Sequence, residues 1–257
     1  MNLRQSFLAN NECYIAGKTI IPAGIMLHST GAPNPNLRRY VGPDDGLLGH
    51  NQFHNHWNVY HPEGRDIGPH AYTNDGKGRC LVCGGRQVCP HAFIGKLADG
   101  SIATYQTLPW DMRGWHAAGR ANDSYIGIEV CEDGLTDAAY FEAVYREAAE
   151  LCVYLCGLYG IKPEAPSLID HSEGAALGIA GKHADVMHWW PKHGKDMGVF
   201  RADARKLLSA ATPPPSPWAA EAWAWAKERG ITDGTNPQGP CTREQVVTML
   251  HRALGSL

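Results

Sequence analysis

The chain has 257 residues, of which 44% are hydrophobic and 19% charged, with a formal net charge of -3. That length holds one full-sized domain and a small appendage, and the slight acidic balance excludes the basic excess by which nucleic-acid binders hold phosphates. The opening segment, MNLRQSFLANNECYIAGKTI, has no long apolar run behind a basic start, so neither a signal peptide nor membrane insertion is expected.

In chain order, residues 20–28 (IIPAGIMLH) read as a short apolar strand ending in a histidine. Residues 34–86 are rich in Gly, Pro, Asn and His, and read as irregular structure with short helical pieces. HAFIGKLADGSIATYQ, 91–106, reads as two strands around an Asp99-Gly100 turn. SYIGIEVC, 124–131, is a further strand. Residues 137–159 give the clearest helix: Thr136 or Asp137 caps it, Phe141, Val144, Ala148, Leu151, Leu155 and Leu158 recur at helical spacing, and Gly160 and Pro163 end it. A second helix is expected over 198–210. Strands interleaved with helices predict an α/β fold, a sheet covered by helices.

ATPPPSPW, 211–218, carries four prolines and reads as a stiff linker. The chain is therefore divided into a domain over 1–205, a linker over 206–217, and a small helical module over 218–257. That module is too short to bury a good core alone. It is expected to pack on the first domain or to form a homodimer with a copy of itself.

Three segments carry chemistry. LHST contains His28, DHSEG contains His171, and KHADVMHW contains Asp185. Two neutral imidazoles and one carboxylate are a zinc-hydrolase ligand set, because they leave a fourth position for water. His183 and His188 flank Asp185 and compete with it for the third position. CLVCGGRQVCPH places Cys80 and Cys83 at C-x-x-C spacing, with Cys89 six residues on, which reads as a structural metal site or a disulfide. His50, His54, His56, His61 and His70 default to surface or loop packing. Trp110, Trp115, Trp189 and Trp190 lie near the motifs, most of them as core. No HExxH motif is present, which argues against an unrelated zinc peptidase.

LHST, RGWHAAG, IGIEV, and DHSEG followed by KHADVMHW resemble, in order, the zinc-dependent N-acetylmuramoyl-L-alanine amidases, which share a fold with peptidoglycan recognition proteins and phage amidase lysozymes. The resemblance spans roughly residues 18–205. It implies a central mixed β-sheet flanked by helices, and a zinc ion held by His28, His171 and Asp185. It implies that Glu129 of IGIEV is catalytic. It also places His183 where many members have a catalytic lysine, and it lengthens the His171–Asp185 interval by GAALGIAG. His116 and Trp115 become candidates for the substrate groove, with core packing as the alternative for His116. The implied substrate is peptidoglycan, cut at the amide between N-acetylmuramic acid and L-alanine. Without a signal peptide, the resemblance suggests a phage or prophage endolysin made in the cytoplasm and released to the wall by a holin-type partner. The competing expectation is a non-catalytic peptidoglycan-binding protein on the same fold, which the complete ligand set disfavours. WAWAKERGITDGT and TREQVVTMLHRAL resemble one surface-layer homology repeat, which would suggest wall attachment.

Overall fold

The computed structural model describes residues 1–9, 11–41, 88–211, 215–234 and 237–255. The chain divides into two compact units, Met1–Ala204 and Arg205–Leu257.

The first unit is built on a six-stranded sheet. Its strands are β1 (Leu3–Gln5), β2 (Gly24–Pro33), β3 (Ala92–Lys96), β4 (Ile102–Gln106), β5 (Tyr125–Glu132) and β6 (Leu168–Asp170), in the order β1-β4-β3-β5-β2-β6. Only β3 and β4 pair antiparallel, so the sheet is mixed. They are the hairpin expected around Asp99-Gly100, and Gly100 takes φ +83, a left-handed turn conformation that glycine adopts without a Cβ clash. The expected strand over 20–28 instead starts at Gly24 and runs on to Pro33, because β5 pairs with it from Gly24 through Ser29. His28 therefore sits inside the strand. β1 and β6, three residues each, are too short to show a periodicity in sequence.

Residues 24–29 of β2 are all buried, as befits a central strand covered on both faces. Alternation sends Ile25 and Leu27 to one face with Ile126, Ile128 and Val130 of β5. On that face lies the helix α2 (Ala138–Tyr159), which follows a five-residue helix α1 (Glu12–Ala16) near the start of the chain. The Asp137 side chain caps α2 by accepting from the Tyr140 amide, and Gly160, at φ 65, closes it by donating to the Cys156 carbonyl. Phe141, Val144, Ala148, Leu151, Cys152 and Leu155 form its buried stripe. Fully burying a Leu or Phe side chain contributes about 1.5–3 kcal/mol, so this stripe holds the helix to the sheet. Leu158 was expected in the stripe but is exposed, at the margin of the face and in the last turn. Trp189, Trp190, Phe200 and Trp110 complete this core. Trp189 and Phe141 meet edge-to-face at 5.4 Å.

The opposite face of β2 and β5 carries Met26 and His28 beside Gly127 and Glu129, in register as Met26↔Gly127 and His28↔Glu129. Over this face lie the segment 114–122 and the short helix α3 (His171–Ala176). The helix α4 (Met197–Ala211), expected over 198–210, starts in this unit and runs past its end at Ala204.

The second unit holds α5 (Ala220–Glu228) and α6 (Arg243–Leu254). Thr242 and Gln245 form a reciprocal capping box at the start of α6. Among the described residues, no helix is long and apolar enough to cross a membrane.

Candidate active site

His28 reaches the site from the middle of β2. β6 pairs with β2 so that Leu27 faces Asp170, which delivers the next residue, His171, to the side of His28. Asp170 holds that junction by capping α3: its carboxylate accepts from the Glu173 amide at 2.7 Å. Asp185 opens a 3₁₀ turn, Asp185–His188, with φ +41. A left-handed backbone at a non-glycine residue is strained by roughly 1–3 kcal/mol, although aspartate tolerates it better than most.

These three side chains converge. His28 Nδ1 lies 3.0 Å from His171 Nδ1. Asp185 Oδ2 lies 2.6 Å from His171 Nδ1 and 3.5 Å from His28 Nδ1. Among the described residues, they form a group whose candidate ligand atoms all lie within 4.8 Å of one another. Asp185 Oδ2 nevertheless has no hydrogen-bond partner of acceptable angle, and neither does His171 Nε2. Buried polar atoms without partners are rare and need a reason. Two ring nitrogens and a carboxylate oxygen gathered at one point, with the oxygen unpartnered, are explained by a cation at that point. The donor set, two imidazoles and one carboxylate, fits zinc. Burial pushes the His28 imidazole down, favouring the neutral form a metal needs. Burial also pushes the Asp185 carboxyl up, but the contacts with His171 and His28 outweigh it and hold the group ionised below the usual carboxylate range.

The other candidates fall in distinct places. Glu129 is buried beside His28 on the neighbouring strand, and its Oε2 has no hydrogen-bond partner. Burial first, then the charges of Asp185 and Glu132, push its carboxyl well up. The exposed His183 sets its ring against that of His171 at a 38° tilt, centroids 4.7 Å apart, at the rim of the cluster. His188 is turned away: its Nε2 lies 3.1 Å from both carboxylate oxygens of Glu132, so it does not join the three. Trp115 packs against the core cluster that contains Cys89 and Leu108, with the Arg113 guanidinium over its ring. Cys80, Cys83, His50, His54, His56, His61 and His70 lie outside the described residues. Cys89 is fully buried, and its thiol donates to the Pro90 carbonyl.

Behind His28 lies a layer of histidines that spacing could not reveal. His28 Nε2 meets His116 Nδ1 at 2.9 Å, and His116 Nε2 meets the Tyr125 carbonyl at 3.1 Å. His91, beside His116, accepts from the Gly127 amide on Nδ1 and donates from Nε2 to the Met112 carbonyl. Burial pushes His91 down to about 4 and His116 well below the ordinary histidine range. An unfolded chain takes up a proton on His91 near 6.5, before the folded chain does, so His91 stabilises the fold above that range and stability is lost as pH falls from about 6.5 to about 4, on the order of 3 kcal/mol from this residue. Urea denaturation at about pH 7 and about pH 4 is expected to show a smaller loss for His91→Gln than for the wild type. Equal losses would mean that His91 does not stay neutral when folded.

The segment inserted between His171 and Asp185 is clasped onto RGWHAAG. Ala121 donates to the Ile179 carbonyl at 3.0 Å and Gly181 to the Ala117 carbonyl at 2.8 Å. Gly119 has to be glycine here, since a Cβ would come 2.3 Å from the Ile179 oxygen. The longer interval thus ties the stretch that carries His183 and Asp185 to the loop that carries His116.

A mixed α/β sheet that converges two imidazoles and a carboxylate, with a buried glutamic acid alongside, defines a hydrolase class whose donor set suits a metal ion. The family described as N-acetylmuramoyl-L-alanine amidase matches residues 18–191, and the chain belongs to that family. It is therefore a peptidoglycan amidase, acting on the bond between N-acetylmuramic acid and L-alanine. Among solved structures, the hydrolase AmiA of Staphylococcus aureus, in complex with its ligand, superposes with a TM-score of 0.55 at 14% identity, over 81% of this chain and 83% of that one. The PlyG catalytic domain superposes with a TM-score of 0.50 at 16% identity, over 83% of this chain and 99% of that one. At such identity the likeness is one of fold, and it agrees with the mixed sheet flanked by helices expected from sequence. A comparison with curated protein sequences finds no match.

Proposed function

We propose that the amidase is zinc-dependent, with His28 Nδ1, His171 Nδ1 and Asp185 Oδ2 as protein ligands and the fourth position open to water and the substrate carbonyl. The observation that carries this is the convergence of those three side chains on one point, with Asp185 Oδ2 left without a hydrogen-bond partner. Bound zinc would polarise the scissile carbonyl and lower the pKa of water to about 7.

The chain's own groups do the rest. Positive charge beside Glu129 favours its carboxylate, which takes the proton of the attacking water and returns it to the leaving amine of L-alanine. His183, its ring tilted against His171 at the rim, donates a ring N–H to the oxyanion of the tetrahedral intermediate. Asp170 fixes the backbone that presents His171. The test is metal removal: chelation should abolish lysis of purified walls and added zinc should restore it. Full activity after complete chelation would remove the proposal.

The physiological setting that fits is a phage or prophage endolysin reaching the wall through a holin-type lesion. The second unit is proposed to hold the enzyme on the wall, as its likeness to a surface-layer homology repeat suggests. Trp218 in the 3₁₀ turn Pro217–Ala219, Trp225 of α5, and Val247, Leu250 and Leu254 of α6 are exposed. Deleting residues 212–257 is expected to weaken sedimentation with purified walls while turnover of a small soluble muramoyl-peptide stays within about twofold. Undiminished wall binding would take the targeting role away from this unit.

A further inference from the structure

The pairing of His28 with His116 has a consequence for the metal site. A carbonyl oxygen can only accept, so His116 Nε2, 3.1 Å from the Tyr125 carbonyl, carries the proton. A neutral imidazole has one proton, so His116 Nδ1 is bare and must accept. The atom facing it at 2.9 Å is His28 Nε2, which therefore donates. That leaves the Nδ1 of His28 unprotonated, and Nδ1 is the nitrogen turned toward His171 and Asp185.

Three restraints hold His116 in this pose. Its amide donates to Asn122 Oδ1 at 2.9 Å, and Asn122 is fully buried. Its ring lies against the strand at Gly127, where a Cβ would come 2.3 Å from His116 Cγ. Its Nε2 is bonded to Tyr125 as described. A packed, fixed ring behind a ligand is what sets the ligand's tautomer and orientation. The ring partners of His116 are a carbonyl and an imidazole, neither of which is a carboxylate that would hold a second proton on it.

We propose that His116 is a positioning residue, not a substrate-contacting one, which locks His28 in the Nε2–H tautomer so that its Nδ1 lone pair is preset for zinc. The proposal rests on the zinc reading above. Removing such an outer-sphere partner typically lowers metal affinity about 10–100-fold.

Two variants separate the lock from mere packing. His116→Phe keeps a ring over Gly127 but offers no acceptor to His28. His116→Asn places an acceptor oxygen near the position of Nδ1. Zinc affinity, measured by competition with a chromophoric chelator, is expected to fall about 10–100-fold in His116→Phe and to recover most of that loss in His116→Asn. Wild-type affinity in His116→Phe, or equal losses in both variants, would overturn the proposal.

A measurement on the wild type guards against misfolding of the variants. Nitrogen-15 NMR of the histidines in metal-free protein at about pH 8, above the ordinary histidine range, reads the tautomer directly. His28 is expected to carry its proton on Nε2 before zinc is added, and Nδ1 to shift on titration. An Nδ1–H tautomer in the metal-free protein, or ligation through Nε2, would overturn the lock. Failure to take up zinc would instead overturn the zinc reading, and the two are distinguishable because the tautomer is read first.

Discussion

Asp185→Ala is expected to abolish wall lysis and to lower bound zinc to the background of the chelated protein, and His28→Ala to do the same. A metal ion supplies several kcal/mol of transition-state stabilisation, and a loss of about 4 kcal/mol corresponds to about a thousandfold in rate. The aspartate is the cleaner substitution. Its side chain is 13% exposed against 1% for His28, so truncating it leaves less of a cavity. Alanine tolerates φ +41 less well than aspartate, so a melting curve is taken alongside, and loss of zinc without loss of folding would separate ligation from strain. His28→Ala additionally removes the donor to His116 and leaves its Nδ1 without that partner, so its thermal stability should fall as well. Lysis and bound zinc close to wild type in both variants would contradict the assignment.

Glu129→Gln is expected to lose about 10²- to 10⁴-fold in kcat while retaining zinc, because a proton acceptor is removed and volume is kept. The two ligand variants should lose metal and turnover together, and Glu129→Gln turnover alone. A linkage effect gives a second readout. The Glu129 carboxyl is pushed well up by burial and by Asp185 and Glu132, so the folded, metal-free chain holds its proton more tightly than the unfolded chain. The stability that this proton brings is full below the unfolded pKa and is lost as pH rises through the folded one. Glutamine does not titrate, so metal-free Glu129→Gln should be more stable than metal-free wild type at neutral pH. Loss of zinc in Glu129→Gln would recast the residue as part of the metal-holding framework.

The sequence made the long periodic elements legible. α2 was visible in its apolar stripe with Asp137 and Gly160 at its ends, and the β3–β4 hairpin in its Asp99-Gly100 turn. The members of the central cluster were also visible, since His28, His171 and Asp185 sit in three short polar motifs. What spacing could not show is which nitrogen faces where. The His28–His116 contact joins residues 88 positions apart, and it exists only because β2 and β5 lie side by side with Gly127 leaving room for a ring. His188 is an instructive case. It stood three residues from Asp185 and competed on paper for the same role, yet the 3₁₀ turn swings it to Glu132 at the far end of β5. The inserted GAALGIAG read as a departure from the family pattern, and its bonds to the RGWHAAG loop depend on the fold of both segments.

The central claim is tested most directly by mass spectrometry of purified peptidoglycan digested with the zinc-loaded protein and, in parallel, with the chelated protein. A zinc-dependent muramoyl-alanine amidase releases free stem peptides with an N-terminal alanine and leaves glycan strands stripped of peptide. Those products should disappear on chelation and return when zinc is restored. Peptides still attached to muramic acid after lysis, or the same free peptides from fully chelated protein, would contradict it.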